Sequence, residues 1–595
     1  TTGASNTAMG HIALNANTTG QQNVAMGSTT LDANTTGSYN VGVGTAALTN
    51  NTTGELNTAV GQSALFSNTT ASNNTAIGYN SLNANTTGTS LAAVGAYSLD
   101  ANTTGNQNTA IGYNTLSTST TGSNNTGLGF NALANNSTAS SNTAVGAQAG
   151  NATTTGEITA VGTQALYSNT TGTGLLAVGF QALYANTTGT ANTAVGNNFA
   201  GTIGGALVSN TTGSSNTAVG SGALYANTTG GNNTGLGFKA LMSNSTGASN
   251  TAVGSLCAQA VTTGSNLVTI GVRSLDSNTT GDNNTALGSY AMRYNTTASG
   301  NTAAGHGALQ ANTTGSLHVA VGISALGSNT TGNYNTALGR EALALNTTGS
   351  SNVAVGLNAL SQNTTANENT AVGRNVLVNN TTGDLNTGVG AFCLDACTTG
   401  HGNATLGYDT GGAITTGSSN VVIGDESGGV ITTGNNNICI GHNAEPGANN
   451  AAIQIVLGAN VTGTADYQVT IGNDSIGKIQ NSFNSNATWS RVSDLRFKKD
   501  ILDNTDCGLD FINDLRTVTY KWKETEQRTP THKDKMYGFI AQEVKKALDK
   551  HNITDFNGWT EDSDGSQQIS YEMFVMPLVK AIQELSAKVT ALEAA

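Results

Sequence analysis

Hydrophobic and polar positions repeat along residues 1–473 with a period of 17, which is the most regular feature of the chain. The consensus unit is N-T-A-V-G-x-x-A-L-x-x-N-T-T-G-x-x, seen nearly intact in residues 57–73. Self-similarity at a short fixed period predicts a solenoid or fibrous array rather than a row of globular domains. One 16-residue step and one 24-residue step interrupt the period. The longer step implies an inserted segment around residues 199–207, a candidate protruding loop.

Within each unit, the spacing predicts one short strand and no helix. Threonine and a large aliphatic residue alternate between glycines, as they do in an extended segment. We expect this aliphatic position, the leucine position and the small alanine to form the inward stripe of each coil. The aliphatic position is occupied by Met9, Met26, Val43, Val60, Ile77, Val94, Ile111 and Leu128, and the leucine position by Leu14, Leu31, Leu48, Leu65 and Leu82.

The other parts of the unit predict how the coils turn and stack. The glycine after the aliphatic residue, as in Gly10, Gly44 and Gly61, is expected to supply a backbone angle or a close approach that a side chain would block. The Asn-Thr-Thr-Gly segment has the composition of a turn. Stacked coils would place identical asparagines and threonines above one another, which predicts side-chain amide ladders. The predicted fold class is therefore mostly β, a parallel β-solenoid or β-roll.

Each coil carries only three or four apolar residues. Ordering the backbone costs about 1–2 kcal/mol per residue, and so thin a core does not offset that cost alone. A closed cyclic assembly of three chains would bury the alanine- and valine-bearing faces against one another. We therefore predict a homotrimer.

Composition and charge exclude several function classes. Only 9% of residues are charged and 5% are aromatic, a balance that suits an extended repeat with a thin core. Residues 1–477 contain five basic residues against sixteen acidic ones, so no surface for nucleic acid or anionic membrane is expected. No stretch approaches the roughly 20 apolar residues of a membrane span. The sequence opens inside a repeat, which is compatible with a fragment or a processed product.

The repeats predict no cofactor and no metal site. Five cysteines are too few and too irregular for a disulfide framework, and Cys393 and Cys397 lack the partners of a zinc site. Acidic residues such as Glu55 are isolated in sequence, and the adjacent Asp425 and Glu426 would point to opposite faces of an extended segment. The paired carboxylates of a glycan-cleaving cleft are therefore not predicted. No shaft residue stands out as a binding residue.

Over roughly residues 1–473, the repeat units resemble those in the heads of trimeric autotransporter adhesins and in many phage fibres. Those adhesin heads are left-handed parallel β-rolls, so the resemblance implies a similar fold. The period of 17 is longer than that of the adhesin heads, although Gly458 to Gly472 steps by 14.

Beyond about residue 478 the period stops, and lysine, arginine, tryptophan and helical spacing appear. Four motifs follow in order: residues 493–501 (SDLRFKKDI), 515–522 (LRTVTYKW), 537–544 (YGFIAQEV) and 569–571 (ISY). The series resembles the intramolecular chaperone domain of endosialidases. The predicted domains are a fibre shaft at 1–473, a linker to the cleavage site at 474–492, and a self-cleaving chaperone domain at 493–595.

The resemblance implies that a Ser-Lys dyad cuts its own chain, and the match places the dyad at Ser493 and Lys498. A lysine can take the serine hydroxyl proton once desolvation leaves its amine neutral. We expect Ser493 to attack the carbonyl of Val492, so that the mature fibre ends at Val492. The remaining charged members of the motif are the expected supporting positions Asp494 and Arg496 and the competing base Lys499.

The last segment predicts a coiled-coil helix. Its apolar residues recur at alternating spacings of three and four, at Val575, Leu578, Ile582, Leu585, Val589 and Leu592. A trimeric bundle would hold three chains in register, since repeated coils can pair in many registers at similar energy. Cleavage afterwards would remove the folding seed and leave a kinetically trapped shaft.

These expectations combine in a phage tail fibre of the virion, assembled in the host cytoplasm, that attaches the virus to its host. The predicted partners are two further copies of the chain, other virion tail proteins, and a host receptor that is a glycan or a surface protein. One autoproteolytic cut is the only enzymatic step expected. Three alternatives stay open: a bacterial trimeric surface adhesin, a polysaccharide-degrading tailspike, and a membrane-bound regulator with a similar autocleavage module.

Overall fold

The computed structural model describes residues 2–197, 204–482, 490–491, 499, 501–521, 535–562 and 565–595. The chain divides into two compact units, Thr1–Arg491 and Val492–Ala595. The first unit is built of short strands and turns, and the second combines helices with short antiparallel strand pairs.

One short strand per coil builds the first unit. Each strand pairs in parallel with the strand of the next coil, so that Ala59 pairs with Ala76 and Val60 with Ile77. The resulting 30-stranded sheet confirms the predicted parallel β-solenoid. Its parallel strands are β1 Thr7–Met9, β2 Val24–Met26, β3 Val41–Val43, β4 Thr58–Val60, β5 Thr75–Ile77, β6 Ala92–Val94, β7 Thr109–Ile111, β8 Thr126–Leu128, β9 Thr143–Val145, β10 Ile158–Val161, β11 Leu175–Val178, β12 Thr193–Val195, β13 Thr217–Val219, β14 Thr234–Leu236, β15 Thr251–Val253, β16 Val268–Ile270, β17 Thr285–Leu287, β18 Thr302–Ala304, β19 Val319–Val321, β20 Thr336–Leu338, β21 Val353–Val355, β22 Thr370–Val372, β23 Thr387–Val389, β24 Ala404–Leu406, β25 Val421–Ile423, β26 Ile438–Ile440, β28 Ile455–Leu457 and β30 Gln468–Asn473, with β27 Ala444–Glu445 and β29 Val461–Thr462 forming a separate pair.

Alanine and leucine fill the interior of each coil. The middle residue of the strand is alanine in most coils, and Ala59 and Ala76 are fully buried. Leu65, at the leucine position, is equally buried and takes a left-handed backbone angle with φ 50°. That conformation costs about 1–2 kcal/mol, which burial of the side chain, at about 1.5–3 kcal/mol, offsets. The buried residues form one cluster along the solenoid.

The aliphatic position of the repeat faces outward, so the prediction that it belongs to the inward stripe is wrong. Met9 is 61% exposed, and Ile77 and Leu128 are 40% and 42% exposed. Successive residues of a strand point to opposite faces, and the narrow coil takes the small alanine inside. The flanking residues therefore lie on the outer surface. We call the last aliphatic residue of each three-residue strand, stacked from coil to coil beginning at Met9, the aliphatic column.

Backbone geometry requires the glycine after each strand, as predicted. Gly61 has φ 132°, and a Cβ built on it would lie 2.5 Å from the carbonyl oxygen of Gly78 in the next coil. A side chain at this position would therefore push neighbouring coils apart.

Asparagine ladders run through the turns, which confirms the predicted amide stacking. Asn51 donates from Nδ2 to Asn34 Oδ1 at 2.9 Å and to the Gly54 carbonyl at 3.0 Å. In a second ladder, Asn57 Oδ1 accepts a hydrogen bond from the backbone N–H of Asn74 at 3.0 Å. These side chains are buried. The stack itself, rather than water, therefore satisfies their polar atoms.

The solenoid continues across the inserted segment. Strands β12 and β13 pair directly, with Ala194 opposite Ala218, although 24 residues separate them instead of 17. Leu207 rejoins the buried leucine position. Residues 198–203, where the protruding loop is predicted, lie outside the described residues.

An antiparallel strand pair closes the solenoid. Strand β30 pairs with β31, Gly477–Ser482, and β31 pairs with β32, Ser490–Arg491. The stretch 474–492, predicted as a linker, therefore contains β31 and β32. Strand β31 covers the ladder edge that β30 would otherwise expose.

The C-terminal unit has its own small core. Phe511, Val544, Leu548 and Phe574 are buried together in it. Its elements are α1 Leu509–Asn513, β33 Val518–Tyr520 paired with β34 Met536–Gly538, α2 Ala541–Lys550, β35 Trp559–Glu561 paired with β36 Gln567–Ile569, a 3-10 turn at Tyr571–Phe574, and α3 Val575–Glu593.

Candidate functional site

The predicted cleavage motif lies almost wholly outside the described residues. Those positions are the dyad Ser493 and Lys498, the cleavage residue Val492, and the supporting residues Asp494 and Arg496, and their roles stay predictions. Lys499, the competing base, is described and is exposed. Exposure does not supply the desolvation that a lysine base needs.

An ion pair joins the second and third motifs of the C-terminal unit. Arg516, two residues before β33, donates from Nε to Glu543 Oε2 of α2 at 2.9 Å, and a second guanidinium nitrogen contacts the other carboxylate oxygen. Hydrogen bonding to Arg516 holds the pKa of Glu543 below its usual range. This two-pronged contact fixes the start of α2 relative to β33.

Tyr571 joins the third and fourth motifs. Its hydroxyl oxygen accepts a hydrogen bond from the backbone N–H of Phe539 at 3.1 Å, and the two rings stack 5.9 Å apart. Phe539 also packs against Phe574, with ring centroids 5.2 Å apart. The second, third and fourth motifs therefore meet on one small core, although about 50 residues of sequence separate their ends.

The predicted coiled-coil seam of α3 is exposed in the single chain. The exposed fractions are 49% for Val575, 46% for Leu578, 65% for Ile582, 49% for Leu585, 45% for Val589 and 78% for Leu592. Pro577 and Ala581 on the same helix are buried, and Glu584 accepts a hydrogen bond from the backbone N–H of Leu509 at 2.7 Å. One face of α3 therefore packs within the unit and leaves the seam without a partner.

Comparison with known families bears on these motifs. Residues 493–553 match the family model described as chaperone of endosialidase. The match begins at Ser493 and includes Lys498, Arg516 and Glu543, and α3 lies beyond it. No curated protein and no solved structure matches this chain. A chaperone domain of this family behind a long β-solenoid fits a tail-fibre or tailspike-like protein.

Stacking of the coils also builds a groove of carboxylates that the sequence prediction missed. Asp395, Asp409, Glu426 and Glu445 line the groove, one from each of four neighbouring coils. Asp409 and Glu426 are one period apart, so their shared position in the repeat already indicated that they would stack. Judging acidic residues by nearness in sequence hid this relation.

Burial and mutual repulsion shape this groove. Burial, and then the nearby charge of Asp409, raise the pKa of Asp395. Burial likewise raises the pKa of Glu445, whose carboxylate accepts hydrogen bonds from the backbone N–H groups of Gly429 and Val430 at 2.8 and 3.0 Å. The groove therefore offers carboxyl groups in different environments, which is a requirement for acid–base chemistry.

Two further searches cover only the described part of the chain. Within it, no group of three or more histidine, cysteine, aspartate or glutamate side chains is placed to hold a metal ion. Among the same residues, no helix combines the length and apolar character needed to cross a membrane.

Proposed function

We propose that this chain is the subunit of a homotrimeric phage tail fibre whose C-terminal domain directs assembly and is then released by autoproteolysis. The observation that carries the proposal is the family match at residues 493–553 directly behind a β-solenoid of stacked coils. The fibre attaches the virion to a host-cell receptor, with other virion tail proteins as further partners.

The aliphatic column supports assembly into a trimer. It places one outward aliphatic side chain on nearly every coil, and Val60, Ile77 and Val94 are three successive members. An apolar surface that continues along a whole molecule is too large to stay in water without a partner. Copies of the same chain fit it, because their columns have the same rise per coil and carry no charge. Three columns meeting on one axis would bury the stripe completely.

The exposed seam of α3 supports the assembly role of the C-terminal unit. Three such helices form a bundle whose sequence does not repeat every 17 residues, so the bundle has one register. The coils of the shaft, in contrast, pair almost equally well after a shift of one coil. Assembly that starts at α3 therefore selects the correct alignment before the shaft forms.

The released bond is the peptide bond between Val492 and Ser493. Lys498, as the neutral amine, takes the proton from Ser493 Oγ, which attacks the Val492 carbonyl carbon. The carbon–nitrogen bond breaks, the proton passes to the leaving amine, and an ester links Val492 to Ser493 Oγ. Water then hydrolyses this ester, which leaves a Val492 carboxylate and a chaperone domain that begins at Ser493.

A denaturing gel with intact mass on the wild type, Ser493→Ala, Lys498→Ala and Lys499→Ala tests this step. We expect two fragments divided at Val492 from the wild type and from Lys499→Ala, and one full-length chain from the other two variants. An intact wild-type chain, or cleavage that persists in Ser493→Ala, would refute the autoproteolytic step.

A second candidate function, a polysaccharide-degrading tailspike, is favoured by the carboxylate groove of the shaft. Carboxyl groups on opposite sides of a bound sugar could act as acid and base. Release of reducing ends from host polysaccharide by the purified shaft would support this function, provided that Asp409→Asn together with Glu426→Gln abolishes it. Absence of such release from the wild type leaves attachment as the role of the shaft.

A further inference from the structure

Four aromatic side chains form a continuous strip on the outside of the solenoid. They are Tyr79, Tyr97, Tyr113 and Phe130, which we call the aromatic strip. Successive ring centroids lie 5.3, 5.9 and 5.8 Å apart. Tyr79, Tyr113 and Phe130 are 43%, 52% and 51% exposed. In a chain with only 5% aromatic residues, such a cluster on the surface is unusual.

The fold of the solenoid does not require these rings. Tyr79, Tyr113 and Phe130 each follow the glycine that ends a strand, and other coils carry Ser28 or Gln62 at the same position with the same backbone course. Ring-to-ring contacts of this kind are worth only about 0.5–1.5 kcal/mol each. The strip therefore adds little that a polar residue does not already supply to neighbouring coils.

The strip is also distinct from the aliphatic column, which is apolar in nearly every coil. The position after the glycine is occupied elsewhere by His306, Arg340, Arg374 and Asp425, all of which are exposed. Like charges and polar groups of this kind are depleted from the buried core of an interface. This position therefore faces solvent along the solenoid, also when the aliphatic columns of three chains are packed together.

Each of three rings is followed directly by an asparagine. Asn80, Asn114 and Asn131 all take left-handed backbone angles, with φ of 54°, 56° and 55°. Asn114 donates from Nδ2 to Asn131 Oδ1 at 2.9 Å. A ring beside an amide thus recurs along the axis, on coils that begin with β5, β7 and β8. Between them, Tyr97 on the coil of β6 places a ring where the others place the amide.

A buried acceptor lies next to this strip. Asp100 Oδ1 is buried without a hydrogen-bond partner among the described residues. The carboxylate is close enough to Tyr97 that its charge contributes to the raised pKa of that phenol, after burial and the neighbouring Tyr79. Aromatic faces, amides that both donate and accept, and a free acceptor together suit a ligand with apolar C–H faces and many hydroxyls.

We propose that the aromatic strip binds a neutral oligosaccharide chain that runs parallel to the solenoid axis. Pyranose rings place their C–H faces on the aromatic rings, and their hydroxyls exchange hydrogen bonds with Asn80, Asn114 and Asn131. The strip carries no basic side chain, so an anionic polymer gains no ion pair there. This proposal rests on the attachment function proposed above, since it names the receptor class and the place where it binds.

Saturation-transfer NMR on the full-length protein tests the strip, with maltohexaose, cellohexaose, laminarihexaose and chitohexaose as probes. The strip variant is Tyr79→Gln, Tyr113→Gln and Phe130→Ser, which uses residue types that other coils tolerate at this position. The control is Tyr167→Ala with Tyr184→Ala, because this second stacked pair has a ring separation of 5.2 Å but lies on a different position of the repeat. The single variant Asn114→Ala removes an amide and leaves every ring in place.

We expect at least one hexasaccharide to bind the wild type and the control equally, at least tenfold more weakly to the strip variant, and measurably more weakly to Asn114→Ala. The proposal is overturned if none of the four binds the wild type, if the strip variant keeps its affinity, or if the control loses as much. Single Tyr113→Gln serves if the triple variant does not fold. Cleavage and oligomeric state are read on the same preparations, so a processed trimer that binds no sugar refutes the strip alone.

Discussion

At the scale of single residues, His318 shows what one substitution in an asparagine ladder requires. It occupies the ladder position between Asn301 and Asn335 and is 1% exposed. Its Nδ1 accepts the backbone N–H of Asn335 at 3.2 Å, the part that an asparagine Oδ1 plays in other coils. Its Nε2 faces the Gly332 carbonyl, which an asparagine amide would contact. A neutral imidazole with its proton on Nε2 therefore replaces the amide, and burial lowers the pKa of His318 to about 4.

Acidification should therefore weaken the coil that contains His318. The unfolded imidazole takes a proton near its ordinary pKa of 6.5, whereas the folded one stays neutral down to about pH 4. Between these values the unfolded state binds more protons, so the free energy of unfolding falls as the pH falls. The loss should amount to about 3 kcal/mol. Guanidinium unfolding at pH 7 and at about pH 4.5 measures it, with His318→Asn as the variant that lacks this contribution. An equal loss in both proteins would contradict the assignment.

At the scale of secondary-structure elements, the period predicted more than the orientation did. A unit of 17 residues with one extended segment leaves few architectures besides a coil per unit, and parallel pairing of identical strands follows. Which face of a three-residue strand lies inside is a different question, because alternation alone fits either choice. Volume decides it. Ala59 fits the narrow interior, while the larger Val60 and the polar Thr58 point outward.

Side-chain clusters between coils were harder to predict than the coils themselves. Asp395 and Glu445 are 50 residues apart in sequence and share one groove because three turns of the solenoid separate them. Such clusters follow only after the repeat is written as columns, one column for each position in the unit. The C-terminal motifs were predictable in order, but the contact between Arg516 and Glu543 depends on a fold that their spacing does not specify.

Charged residues in the aliphatic column should prevent assembly without unfolding the coil. Val268 and Ile270, at the two ends of β16, are 41% and 45% exposed in the single chain. We expect Val268→Asp with Ile270→Asp to leave the solenoid folded, because neither side chain fills its interior. Burying six carboxylates on one three-fold axis would cost several kcal/mol for each ion. The chain should therefore sediment as a monomer.

Sedimentation velocity of the double variant beside Asn266→Asp provides the comparison. Asn266 is exposed on the same coil and outside the column, so its charge should leave the trimer intact. Circular dichroism on both proteins shows whether the β-structure is kept. A trimer that survives the double variant would place the interface on another face of the coil.

At the scale of the whole molecule, the chain combines a repetitive unit with one that does not repeat. Shifting one strand ladder by a coil replaces Thr, Ala and Val with the same residues in most places, as the pairing of β4 with β5 illustrates. The energy difference between registers is therefore small in the shaft. The C-terminal unit has a single arrangement, since each of its core residues, such as Phe511 and Phe574, occurs once. Alignment information resides in the part that the proposed cleavage removes.

Refolding should accordingly depend on whether that part is still attached. Wild-type fibre, cleaved after Val492, and uncleaved Ser493→Ala are both unfolded in guanidinium and diluted at equal chain concentration. We expect Ser493→Ala to regain the trimer in high yield, whereas the cleaved shaft, lacking the α3 seed, forms aggregates and misaligned species. The same difference should make the cleaved fibre unfold slowly and irreversibly, as expected for a protein held by a kinetic barrier. Ile582→Asp in the Ser493→Ala background separates the contributions, because it keeps the domain covalently attached and places a charge in the α3 seam. If this variant refolds as well as Ser493→Ala, the seam does not set the register; if the cleaved shaft refolds as well as the uncleaved chain, the domain is not needed as a seed at all.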